Sequence, residues 1–170
     1  MLERHIFIIG MPGSGKSTLG RKVSGNLKLR YVDMDRRIQE ILGGSMPEIF
    51  ARYGEEAFRV AETNLLIALT REEPMVVSTG GGTVMNPWNR EIMRNFGLIL
   101  LVDRPIEQIL GDIKLDRRPN FAEKAEVERV YHERIPTYRA SADLVLDNSR
   151  GYYAGVAAME RLLRSRFRLN

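Results

Sequence analysis

The sequence predicts an α/β fold in which a parallel sheet is wound with helices on both faces, giving three layers. Short apolar runs such as "HIFIIG" and "GLILLVD" alternate with amphipathic stretches. That alternation is the signature of β-α-β units. The chain also lacks internal repeats, low-complexity segments and long linkers. Its 170 residues, 44% of them apolar, suit one domain spanning 1–170.

The elements follow in order. Residues 5–10 form a buried strand. Residues 16–27 form a helix with Leu19, Val23 and Leu27 on one face. "RYVDMD" (30–35) is a short strand ending in acids, with a helix over 36–43. Ser45 and Glu48 form a capping box that starts a helix, and 55–71 is a longer one. "PMVVSTGGG" (74–82) is a strand running into three glycines. Asn86-Pro87 caps and opens the next helix. Residues 97–103 form the fourth strand, and Pro105 opens the helix after it. A polar helix over 123–135, a fifth strand over 142–147 and a helix over 152–168 complete the chain.

Composition narrows the function. There are no cysteines, so disulfides and cysteine-ligated zinc are excluded. No apolar run approaches the roughly 18 residues of a membrane span. The glycine loop starts at Gly10, which leaves no room for a signal peptide, so the expected location is cytoplasmic. The net charge is +4, but the basic residues are spread out instead of clustered. A nucleic-acid partner is therefore not expected.

Gly10–Ser17 fits G-x-x-x-x-G-K-[ST] at every fixed position, after a strand and before a helix. Glycines let backbone N–H groups curl around a phosphate, and the helix N-terminus adds positive potential. In such loops the lysine, here Lys16, reaches the β and γ phosphates, and the hydroxyl, here Ser17, ligates Mg²⁺. The chain has no base-reading Asn-Lys-x-Asp, which argues against a switch GTPase. Asp103 ends a strand and reads as a cap on the helix opening at Pro105.

Ligands in doubly wound sheets bind beyond the carboxyl ends of the strands. Gly10–Thr18, Asp33 with Asp35, Gly80–Gly82 and Asp103 all follow strand ends. Strand alternation would set Asp33 and Asp35 on one side. One could support Mg²⁺ and the other accept a hydroxyl proton, while a helix cap accounts for one of them. Arg59 and Glu62 share a helix face. Three consecutive glycines at 80–82 suit a close approach to the backbone.

"GMPGSGKST", "DMD", "FRVAE", "STGGG", "RRP" and "RIPTY", in this order, resemble shikimate kinase over residues 5 to about 165. The resemblance implies a five-stranded parallel sheet in the order 2-3-1-4-5 and transfer of the ATP γ-phosphoryl group to the 3-hydroxyl of shikimate. It implies catalytic roles for Lys16, Asp35 and Arg118. ATP would be held by Gly13, Ser14, Gly15, Lys16, Ser17 and Thr18, with Arg118 closing from a lid at about 112–124. Arg150, after the fifth strand, reads equally as a further candidate beside the adenine and as a solvated loop arginine. Shikimate would contact Asp35, Arg59, Gly80, Gly81, Gly82 and Arg134, within an acceptor region that includes about 33–62. Glu62 would hold Arg59 in place. Ser17 and Asp33 would serve Mg²⁺, Asp33 mostly through water. The expected assembly is a monomer with no nucleic-acid or membrane partner.

Two positions depart from the family pattern. Asn120-Phe121 stands where leucines usually follow the lid's Arg-Pro, and Gly111 stands where an adenine-stacking arginine is common, with Lys114 nearby. Two other readings stay open: a kinase for another small hydroxy acid or a nucleotide, and a catalytically weak ATP-binding regulator.

Overall fold

The computed structural model describes residues 2–114 and 121–167. Five strands form one parallel sheet: β1 (His5–Ile9), β2 (Tyr31–Asp33), β3 (Val76–Ser78), β4 (Gly97–Asp103) and β5 (Leu144–Asp147). Their spatial order is β2-β3-β1-β4-β5, as the resemblance implies. The helices are α1 (Lys16–Asn26), α2 (Met34–Leu42), α3 (Met46–Leu69), α4 (Pro87–Phe96), α5 (Ile106–Asp112), α6 (Lys124–Ser141) and α7 (Tyr152–Phe167).

Strand alternation divides the core into two layers. Phe7, Ile9, Val77, Ile99 and Leu101 face one layer, packed with Met34, Phe58, Leu66 and Val127. Ile6, Ile8, Val76, Leu98 and Leu100 face the other, packed with Leu19, Val23, Met159 and Leu163. Central parallel strands are covered on both sides and therefore read as continuous apolar runs.

Several boundaries differ from the sequence reading. β2 stops at Asp33, so Asp35 is not a strand residue. Asp33 caps α2, accepting from the Arg36 N–H at 3.1 Å, and Asp35 lies in the first turn of that helix. A capping geometry replaces strand alternation because the aspartate accepts an otherwise orphaned helix N–H. The capping box at Ser45 and Glu48 is present. Gly54, with φ 80° and ψ 168°, kinks α3 into the two helical stretches the sequence suggested.

α6 does not end at 135. It continues through Pro136 to Ser141, whose hydroxyl donates to the Thr137 carbonyl at 2.7 Å. Asp103 does not cap the next helix either. It pairs with Arg139 at 3.0 Å, and Pro105 itself occupies the cap position. No described helix is long and apolar enough to cross a membrane.

Candidate active site

The phosphate loop joins the end of β1 to α1. Gly13 and Gly15 have φ of 84° and 99°, a backbone region that L side chains resist. The loop is held from behind. Asn148, just after β5, donates from Nδ2 to the Ser14 carbonyl at 2.8 Å. Arg104 donates to the Gly13 carbonyl at 3.0 Å and is itself fixed by Asp112 at 2.5 Å. A trans peptide is planar, so anchoring the Ser14 carbonyl outward turns the Gly15 N–H to the opposite side. Lys16 is buried, and its ammonium bridges the loop to the Met11 carbonyl at 3.0 Å.

Ser17 lies at the sheet end of α1. Its hydroxyl is 3.3 Å from that of Ser78, at the end of β3. The Tyr31 hydroxyl donates to the Ser17 carbonyl at 3.1 Å and lies 3.4 Å from Asp33 Oδ2. Burial, followed by the Asp33 charge, pushes the Tyr31 phenol up to about 12, so it stays protonated and can donate. Ser17 and Asp33 thus flank one tyrosine hydroxyl. Their hydroxyl and carboxylate donors are hard oxygens of the type Mg²⁺ takes. Among the described residues there is no group of three or more His, Cys, Asp or Glu side chains that could cage an ion.

The three glycines after β3 each meet a different part of the site. A Cβ on Gly80 would collide with Glu62 Oε1 and lie 2.8 Å from Asp35 Oδ1. On Gly81 it would lie 2.7 Å from Pro12 of the phosphate loop. On Gly82 it would lie 2.5 Å from an Arg59 guanidinium nitrogen. The close approach expected from the sequence is therefore made by the protein itself: the strip is squeezed between Asp35, Glu62, Arg59 and the phosphate loop.

Glu62 is buried at 1% exposure and has both oxygens engaged. Oε2 accepts from Arg59 at 2.5 Å and Oε1 from the Thr83 hydroxyl at 2.6 Å. Asn89 extends this network by donating to the Thr83 carbonyl at 3.0 Å and accepting from Thr63 at 3.0 Å. Glu55 is a second partner of Arg59 at 2.8 Å. Burial pulls the Arg59 pKa down, but Glu62 and Glu55 together carry it above the ordinary guanidinium value. Arg59 is thus a fixed cation whose side chain remains about one-third exposed.

The predicted residues fall into two neighbouring groups. Asp35 and Arg59 adjoin Gly80 and Gly82, and Gly81 between them adjoins Pro12 of the phosphate loop. Arg134 joins that group through Tyr138, whose phenol senses the charges of Arg134, Arg59 and Glu62. Thr18 and Ser17 line a separate cavity of about 580 Å³ with Tyr152. Arg150 is exposed on the loop before α7. Arg118 and Asn120 lie outside the described residues, as does the rest of 115–120 in the expected lid segment; Phe121 is buried in the core.

Sequence reasoning assigned no role to Tyr138, Asn148, Arg104 or Thr83. The four-residue step from Arg134 to Tyr138 in "RIPTY" is a usable signal, hidden where the sequence reading stops the helix at 135, just before Pro136. Asn148 and Arg104 act on carbonyls distant in sequence, and no local pattern marks them.

Known proteins resemble the chain over most of its length. Residues 12–160 match the family model described as shikimate kinase. A shikimate kinase of Clostridium beijerinckii is 38% identical over 150 residues, covering 88% of each chain. One of Aromatoleum aromaticum is 34% identical over 155 residues, covering 89% of each. Among solved structures, a shikimate kinase from Acinetobacter baumannii in complex with shikimate superposes with a TM-score of 0.86 at 29% identity, covering 96% of this chain and 92% of that one. The Aquifex aeolicus shikimate kinase gives 0.82 at 31% identity, covering 95% of both.

Proposed function

The chain belongs to the shikimate kinase family, and from that premise we propose how its residues share the ATP-dependent phosphorylation of shikimate. The observation that carries the assignment is the contact of the triple glycine with two partners at once. Gly81 abuts the phosphate loop, while Gly80 and Gly82 abut Asp35, Glu62 and Arg59. An acceptor clamp therefore adjoins the place where a triphosphate binds.

In this reading Gly13–Thr18 cradle the triphosphate and Lys16 neutralises charge on the transferred group. Ser17 and, mostly through water, Asp33 would hold the divalent ion, read as Mg²⁺. It supplies charge neutralisation along the phosphates. Arg59 and Arg134 grip the shikimate carboxylate, a task that suits guanidinium forks. Gly80–Gly82 offer backbone N–H groups to the acceptor. Those of Gly81 and Gly82 have no protein acceptor among the described residues.

Asp35 orients the 3-hydroxyl and takes its proton as the oxygen attacks the γ-phosphorus. The bond from that phosphorus to the β,γ-bridging oxygen breaks, and ADP leaves with the electron pair. The assignments of Arg118, of a lid over about 112–124 and of Arg150 beside the adenine rest on the family resemblance. The chain is read as one catalytic unit over 1–170, with acceptor residues in about 33–62, acting as a monomer without nucleic-acid or membrane partners.

The testing experiment is a coupled ADP-release assay with Mg-ATP and a panel of shikimate, quinate, gluconate and nucleoside monophosphates. Release stimulated by shikimate alone is the expected result. Stimulation by another acceptor instead would reassign the clamp.

A further inference from the structure

Tyr138 is the largest fully buried side chain, and its hydroxyl reaches two parts of the site. It donates to the Gly81 carbonyl at 2.6 Å, and the Met11 thioether lies 3.7 Å from the same oxygen. The Gly81–Gly82 peptide lies in neither strand nor helix, because β3 ends at Ser78 and the 3₁₀ turn starts at Thr83. Among the described residues no other group donates to the Gly81 carbonyl. One phenol on α6 therefore anchors this peptide.

We propose that Tyr138 is a positioning residue for acceptor binding: by holding the Gly81 carbonyl toward α6 it aims the Gly82 N–H the opposite way, toward the acceptor. The physical reason is peptide planarity. In a trans peptide the carbonyl of one residue and the N–H of the next point in opposite directions, so fixing one fixes the other. A glycine pair has no side chains of its own to hold that plane. Tyr138 also lies one helical turn from Arg134, so a single rigid stretch of α6 sets both the second carboxylate arginine and the glycine peptide. A role confined to filling the core would need the ring but not the hydroxyl.

The inference deepens the proposed acceptor site and rests on it. The test is Tyr138→Phe, which keeps the ring and removes only the hydroxyl, with Arg59→Ala measured beside it. The expected result is a rise of about tenfold in KM for shikimate, the scale of one lost hydrogen bond. KM for ATP should stay within about twofold, since the ring stays in the buried cluster that includes Met11. A core role alone would lower the melting temperature and active fraction but leave both KM values in place, and that result overturns the proposal. Equal rises in both KM values overturn it as well. If Arg59→Ala also leaves the shikimate KM unchanged, the acceptor site itself is wrong. A second measurement needs no variant: hydrogen exchange at the Gly82 amide should slow on adding shikimate and not on adding ATP. An unchanged rate with bound shikimate overturns the proposal.

Discussion

Glu62 Oε1 occupies the space that a side chain on Gly80 would need. The carboxylate cannot move aside, because it is buried between Arg59 at 2.5 Å and Thr83 at 2.6 Å. Gly80→Ala must therefore displace either the glycine strip or the pair that orients Arg59. Misplacing site groups by about 1 Å costs on the order of 10²-fold in rate. We expect kcat/KM for shikimate to fall by about that factor. Gly25→Ala is the contrast. A Cβ there meets nothing within 4 Å, and the residue is helical. Calorimetry should show it stabilising by about 0.5 kcal/mol with activity unchanged.

Lys16→Ala and Asp35→Asn should each lower turnover by about 10²-fold or more, the scale of a lost charge stabiliser or catalytic base. The two are separable by single-turnover kinetics with bound ATP. Asp35→Asn retains the shape of the side chain, so ATP should bind as in the wild type while phosphoryl transfer slows. Near-normal transfer would remove Asp35 from the acceptor role.

Arg59→Ala should raise KM for shikimate far more than KM for ATP. Arg59 contacts the glycine strip and Glu62, not the phosphate loop. Glu62→Gln should produce a smaller effect of the same kind, because the amide keeps the packing but loses the charge that directs the guanidinium. Titration calorimetry with each ligand alone separates these cases, and matched losses for both ligands would place Arg59 elsewhere.

Much of this architecture was legible in the sequence, because parallel central strands and a phosphate loop are written in consecutive residues. β1 and β4 are buried along nearly their whole length, and their apolar runs showed it. Asp33 and Asp35 were visible as a pair, but their geometry was misjudged: three residues of strand followed directly by a helix leave no room for alternation. Pro136 concealed the last turn of α6, and with it Tyr138. The anchors Arg104 and Asn148 were invisible for a different reason. Each reaches the loop across roughly 90 and 134 residues of chain, a pairing that only the folded sheet creates.

Removal of divalent cations should abolish turnover without loosening the fold. Among the described residues no group of three or more His, Cys, Asp or Glu side chains could hold a metal ion. Chelation by EDTA is expected to leave the melting temperature of the ligand-free protein unchanged and to stop ADP release. Restoring Mg²⁺ should restore the rate. A large fall in melting temperature on chelation would instead indicate a structural ion.

His5 predicts how stability depends on pH. Its ring is buried at the start of β1, with Nδ1 accepting from the Met75 N–H at 3.3 Å, so the neutral form is the one that fits. Burial lowers its pKa below 6.5; nearby Arg30 adds to this and Glu72 opposes it. The unfolded chain therefore takes up this proton at a higher pH than the folded chain does. The stabilisation is complete above about pH 6.5, erodes as pH falls below that value, and is lost by the time the folded pKa is passed. Glu48 and Asp147 also have lowered pKa values, but from carboxylate values of 4.5 and 3.8, so they act at lower pH. Between about pH 7 and 5.5 the melting temperature should fall, and His5→Asn should flatten that slope. An unchanged slope in the variant would assign the loss to other groups.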